Sequence, residues 1–348
     1  MAYVVFLTWA FLLTLISWVQ PRYGPITGPI LLVSAIAFAG FRGASDDYRQ
    51  YVNMFHALAG SSLPLIPRLY IGKDPLFGAL MLGGDWLGFR TQGLFLIAAA
   101  AALCLKAVAF QDVFGSYVTP LFVTICSTYF LHEYTQIRVA IALGFAFLAL
   151  VALMRERKVI WAICSMLAIG FHISALAILL AEIPFVFGIY KPLWLAVYAL
   201  VGLMIVAVTA DFLTLLSDIA SRAASYKWEG HVSSHGLLVA VFRIIVTTGL
   251  TYVVLQGERE TVRRRLWTIC YFLQLLGFGV FLIFLHRAAG LGFRVMELFD
   301  GFDVFIVSAA LLVRGKLTWA VALQYCLVLL FLVSNVWVPY QMTTRPIW

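Results

Sequence analysis

IRVAIALGFAFLALVALM, spanning Ile137–Met154, decides the fold. After its arginine the run carries no charged or polar side chain. An α-helix rising about 1.5 Å per residue through such a run covers about 27 Å, close to the roughly 30 Å of a bilayer's hydrocarbon core. The run also lacks the apolar–polar alternation of an outer-membrane barrel strand. Similar runs occur at 2–19, 26–41, 91–110, 117–131, 161–171, 173–189, 193–210, 237–255, 266–285, 296–313 and 318–338. The expectation is an all-α, polytopic integral membrane protein of about twelve transmembrane helices.

Composition agrees. Of 348 residues, 63% are hydrophobic and only 11% charged, where a soluble protein carries about a quarter charged residues. The formal net charge of +8 lies partly in short loops beside helix ends, as the positive-inside rule explains, and gives no argument for nucleic acid. The five cysteines, at 104, 126, 164, 270 and 326, each sit in an apolar run without a partner at ligand spacing. They read as small hydrophobes. The first run has neither a basic residue before it nor a small-residue cleavage site after it, and reads as a retained helix. With no internal repeat or linker, residues 1–348 read as one membrane domain.

Segments 155–158, 190–191, 259–265 and 314–316 place one side in the cytoplasm. The opposite side then receives 42–90, 132–138, His172, 211–236 and 286–294. Within 42–90, Asp74 is a good N-cap and Pro75 a good first helical residue. The helix they begin presents Leu76, Leu80 and Leu87 on one face and is expected to lie flat on the membrane surface.

The polar residues that interrupt the apolar runs are the candidate site. Phe41-Arg42-Gly43-Ala44-Ser45-Asp46-Asp47-Tyr48-Arg49-Gln50-Tyr51 follows the second run directly. It can bind an anion through Arg42, hold a sugar with Tyr48 and Tyr51, and leave Asp46 or Asp47 as a general base. In His132-Glu133-Tyr134-Thr135-Gln136-Ile137-Arg138, an arginine at a helix mouth needs a partner. It is either a salt-bridged helix end, with Glu133 as partner, or a phosphate clamp whose planar guanidinium grips two oxygens. Phe171-His172-Ile173 breaks a long apolar run, so His172 is either a hydrogen-bonded structural residue or a base behind Asp46 and Asp47 in preference. Arg294 with Glu297, Asp300 and Asp303 opens another span, the acids forming a slanted row expected to face the bundle interior. The segment 211–236, containing Trp228 and His231, mixes aromatic and charged residues as sugar sites do, and as solvated loops do.

No Walker loop, dinucleotide fingerprint, zinc-protease helix or nucleophile elbow is present. No cofactor and no metal is expected, although adjacent Asp46 and Asp47 could in principle bind a divalent ion.

Five of these pieces, in order over most of the chain, resemble the EpsG family of bacterial polysaccharide polymerases, relatives in role of the Wzy O-antigen polymerases. They are Phe41-Arg42-Gly43 with Asp46-Asp47-Tyr48 and Tyr51; Lys73-Asp74-Pro75-Leu76-Phe77; Gln136-Ile137-Arg138; Phe171-His172-Ile173-Ser174-Ala175-Leu176; and Arg294 through Glu297 to Phe299. The chain departs from the pattern at Asp74, where Glu is expected, and at Leu298, where Tyr is common. The resemblance implies a GT-C-like glycosyltransferase of the bacterial inner membrane. It would join undecaprenyl-diphosphate-linked repeat units at the periplasmic face without nucleotide or metal. Arg42, Arg138 and Arg294 would neutralise diphosphate, and Tyr48, Tyr51, Glu133, Gln136, Trp228, His231, Glu297 and Asp300 would contact glycan. A chain-length regulator and a flippase of the same pathway would be its partners. The rival readings are a flippase for the same lipids, or a ligase or acyltransferase.

Overall fold

The computed structural model describes residues 2–43, 45, 47–217, 234–285 and 289–312, and every regular element among them is helical. Among the described residues, six stretches are long and apolar enough to cross a membrane: Ala2–Val19, Pro21–Gly40, Thr91–Phe114, Ile137–Met154, Ala240–Gly257 and Thr261–Phe284. The protein is a polytopic membrane protein. Its described residues fall into two compact units, meeting in sequence at Leu176 and Ala177.

The first unit holds α1 (Ala2–Val19), α2 (Gly24–Gly40), α3 (Tyr48–Ala59), α4 (Leu65–Leu69), α5 (Pro75–Trp86), α6 (Thr91–Phe114), α7 (Val118–Ser127), α8 (Ile137–Met154) and α9 (Lys158–Phe171). One core forms where α1 and α2 meet α7, around Phe6, Leu31, Leu121 and Tyr129, with Phe6 stacked on Phe38 at 4.4 Å. A second forms where α3 and α5 pack on α6 and α8, around Tyr51, Phe55, Phe77, Met81, Phe95 and Ile141.

Four findings differ from the sequence reading. All ten residues of α7 are buried, and at about 15 Å it is too short to cross. The polar stretch 42–90 contains a further helix, α3, whose Tyr51, Met54, Phe55 and Leu58 recur at helical spacing on one buried face. Helix α5 begins at Pro75 as expected, but it buries Phe77, Gly78, Met81 and Leu82 rather than Leu76, Leu80 and Leu87. A Cβ on Gly78 would stand 1.9 Å from the Leu69 carbonyl oxygen, so only glycine lets α5 come this close to the preceding turn. Finally, Asp74 occupies the N-cap position of α5 but makes no side-chain capping bond.

The second unit holds α10 (which begins at Ala175, Ala175–Val186), α11 (Pro192–Ser217), α12 (Ser234–Gly257), α13 (Thr261–Phe284), α14 (Ala289–Asp300) and α15 (Asp303–Leu312). The expected single span at 296–313 is therefore two helices broken at Gly301–Phe302, with Asp300 and Asp303 on either side of the break. The expected loop 211–236 is narrower, because α11 runs on to Ser217 and α12 starts at Ser234. The expected span 318–338 and Cys326 lie outside the described residues.

Candidate active site

Between α7 and α8 the chain makes a series of turns, and it is buried: Tyr129, Phe130, His132, Glu133 and Thr135 are each 5% exposed or less. Irregular backbone at this depth is tolerated only where its polar groups are satisfied within the protein. Here they are satisfied by His132 N–H to Thr128 O, Tyr134 N–H to Tyr129 O, Gln136 N–H to Leu131 O, and the Thr135 hydroxyl to Phe130 O. The Tyr129 hydroxyl ties the segment to α2 through Ala35 O at 2.5 Å.

Arg42 closes this segment from the other side. Its Nη1 donates to the carbonyls of Glu133, at 3.1 Å, and of Tyr134. Its Cζ lies 4.2 Å from the centre of the Phe95 ring and 5.7 Å from that of Tyr134. Tyr48 stacks on the same Phe95, and Tyr51 meets it edge-on. Arg42 is only 3% exposed, yet among the described residues Nε and Nη2 have no hydrogen-bond partner. Burial pulls Arg42 down to about 10, opposed by Tyr51, Tyr134, Tyr129 and Asp47, so it remains a cation at neutral pH. A buried cation with two open donors is suited to an anion.

Beside it, Asp74 gathers three groups. Arg138, from the first turn of α8, pairs with Oδ2. His172 Nδ1, at the C-terminus of α9, lies 3.4 Å from the same oxygen. The Ile173 N–H donates to Oδ1 at 3.2 Å. Burial pushes the Asp74 carboxyl up, but the His172 hydrogen bond, the charges of Arg138 and His172, and the Ile173 amide outweigh it and hold it below its ordinary value. Lys73, at φ 68, turns the chain into this position. The Tyr51 ring lies 6.0 Å from the Arg138 Cζ, which links the two arginine environments.

The structure thus gathers Arg42, Tyr48, Tyr51, Arg138 and His172 at one end of the first unit, with Asp47 close enough to act electrostatically on Arg42 and Tyr51. Gln136 is half-buried at the N-cap of α8. Two readings need correction there. Glu133 is neither the partner of Arg138 nor open to a glycan, because it is 0% exposed and paired with Lys106 of α6. Burial pushes its carboxyl up, and the Lys106 charge opposes that shift. Tyr51, 2% exposed between Phe77 and Phe95, is packed rather than presented to ligand.

In the second unit Arg294 is exposed, Glu297 is half-buried, and Asp300 is committed to Arg243 at 3.0 Å rather than to a sugar. Asp303 also reaches Arg243, at 3.4 Å. Two acids of the expected row are therefore occupied by ion pairing. Sequence reasoning passed over Lys106, Asp74 as a site residue, and Arg243. The available signal was the cost of a lone cation inside an apolar run, which obliges a buried acid partner elsewhere. Asp46, Trp228 and His231 lie outside the described residues.

Helices of spanning length, with two arginines, a carboxylate and a histidine gathered at one end of the first unit, define a multi-spanning membrane protein with a polar site. The family model matches residues 26–342, and the chain belongs to the EpsG family. No curated protein and no solved structure matches it. Membership in this family suggests a polysaccharide polymerase role.

Proposed function

We propose that the protein is a glycosyltransferase that joins undecaprenyl-diphosphate-linked oligosaccharide units at the periplasmic face of the bacterial inner membrane. The bundle is read as GT-C-like with about twelve crossings. The observation that carries the reading is Arg42, a buried guanidinium with two donors unpartnered among the described residues, set beside the Arg138–Asp74–His172 cluster in an EpsG-family chain. A lipid diphosphate leaving group needs its developing charge stabilised, and preorganised arginines supply that without nucleotide or metal. Arg42 and Arg138 meet the diphosphates, a role the resemblance also gives Arg294. Tyr48, Gln136, Trp228, His231 and Glu297 contact the glycan. The acceptor hydroxyl loses its proton to Asp46, Asp47 or His172. A chain-length regulator and a flippase act in the same pathway.

The test is the lipid-linked glycan ladder of a deletion strain. Loss of a polymerase leaves single repeat units on the carrier. Long chains left on the carrier identify a ligase instead, and units trapped on the cytoplasmic side identify a flippase. Complementation with Arg42→Lys should restore less than about a tenth of the polymer at normal protein abundance, because the ammonium keeps the charge but loses the planar fork.

A further inference from the structure

We infer that His172 is the base that takes the acceptor proton, and that Asp74 is the positioning residue that fixes the ring and its tautomer. The inference rests on the polymerase reading. Sequence alone favoured Asp46 and Asp47 and gave Asp74 only a capping part; the geometry assigns Asp74 differently. Its side chain caps nothing, and instead one oxygen takes the Ile173 amide while the other faces Arg138 and His172 Nδ1. A neutral imidazole held against a carboxylate oxygen keeps its proton on Nδ1, which leaves the lone pair on Nε2.

Both members are anchored by breaks in the chain. Asp74 lies between the left-handed Lys73 and the first residue of α5. His172 is extended, at φ −158 and ψ 118, where α9 stops, and its carbonyl accepts the Ala175 N–H at 2.9 Å. The carboxylate is buried, while 22% of the His172 side chain stays open to a ligand. Among the described residues, the charged and titratable groups facing the imidazole are Asp74 ahead of α5 and Arg138 on α8. Tyr51 of α3 lies behind Arg138, and Lys73 stands beside Asp74 in the chain. Asp47 acts on Arg42 and Tyr51, on the anion-binding side of the cluster.

In the reaction the acceptor O–H gives its proton to Nε2 as its oxygen bonds to the donor's anomeric carbon. The bond from that carbon to the diphosphate oxygen breaks, and the electron pair leaves with the lipid diphosphate. The proton then passes from Nε2 to the leaving diphosphate or to water.

The experiment uses the full chain in proteoliposomes, supplied with the lipid fraction extracted from cells that lack it, and follows polymer formation. His172→Ala should lose about a hundredfold to ten-thousandfold in kcat with KM little changed. Asp74→Asn should lower kcat with KM little changed, and Asp74→Glu, which restores the carboxylate, should return part of that kcat. His172→Ala within a few-fold of wild type, or Asp74→Asn at normal yield with kcat within a few-fold of wild type, overturns the assignment. If Asp74→Asn does not accumulate, His172→Gln decides: retained activity overturns the proposal and loss supports it. A wild-type protein that makes no polymer from these lipids overturns the polymerase reading, and the dyad with it.

Discussion

At the scale of single residues, the Lys106–Glu133 pair shows how a charge enters an apolar bundle. Lys106 stands in the interior of α6 and is 0% exposed, as is Glu133. Removing one partner leaves the other buried and uncompensated, which costs about 3–5 kcal/mol, whereas replacing both by apolar groups is often neutral. Glu133→Gln is therefore expected to lower the unfolding midpoint in detergent by several degrees, and Lys106→Met with Glu133→Leu to recover most of it. A double variant no more stable than Glu133→Gln would show that the pair does more than compensate charge. The carbonyl of Glu133 also receives Arg42, so the single variant should reduce activity as well as stability. Arg243 follows the same rule in the second unit, where Asp300 and Asp303 flank a helix break and supply its counter-charge.

At the scale of elements, the site depends on α5 being pressed against the turn before it. Gly78 makes this contact, and an added methyl meets the Leu69 carbonyl well inside van der Waals distance. Gly78→Ala must push α5 outward and carry Asp74, one turn earlier, away from Arg138 and His172. Overpacking of this kind costs about 1–3 kcal/mol. Activity should fall further than stability does, because the Asp74–His172 contact is already 3.4 Å and has no slack. Gly83→Ala on the same helix meets no atom within 4 Å and is the control; equal loss in both variants would point to a general glycine effect on α5.

For the whole molecule, the end of the first unit that carries Arg42, Asp74, Arg138 and His172 is expected to face the periplasm. Ser62 and Lys158 are both exposed; Lys158 starts α9, at the end opposite His172, and Ser62 follows α3 in the polar stretch 42–90. With the five native cysteines replaced, Ser62→Cys should react with a membrane-impermeant maleimide in right-side-out vesicles. Lys158→Cys should react only after they are opened. The reverse pattern would put the polar cluster in the cytoplasm and remove the periplasmic reaction.

The sequence by itself determined the class of protein, the positions of the long apolar helices, the break at His172 and the start of α5. All of these follow from local quantities: an apolar run must satisfy its own backbone hydrogen bonds in lipid, and helix initiation depends on a few adjacent residues. It also named most residues of the cluster, since a charge in an apolar context is conspicuous wherever it falls. Only the tertiary structure decided who pairs with whom. Arg138 meets Asp74 across 64 positions, and His172 meets the same carboxylate across 98. Glu133, five residues from Arg138 in sequence, turns to Lys106 instead. Nearness along the chain favoured the wrong partner because the turns between α7 and α8 point Glu133 into the bundle. Which acid meets which base is set by how the helices pack, and that packing is long-range.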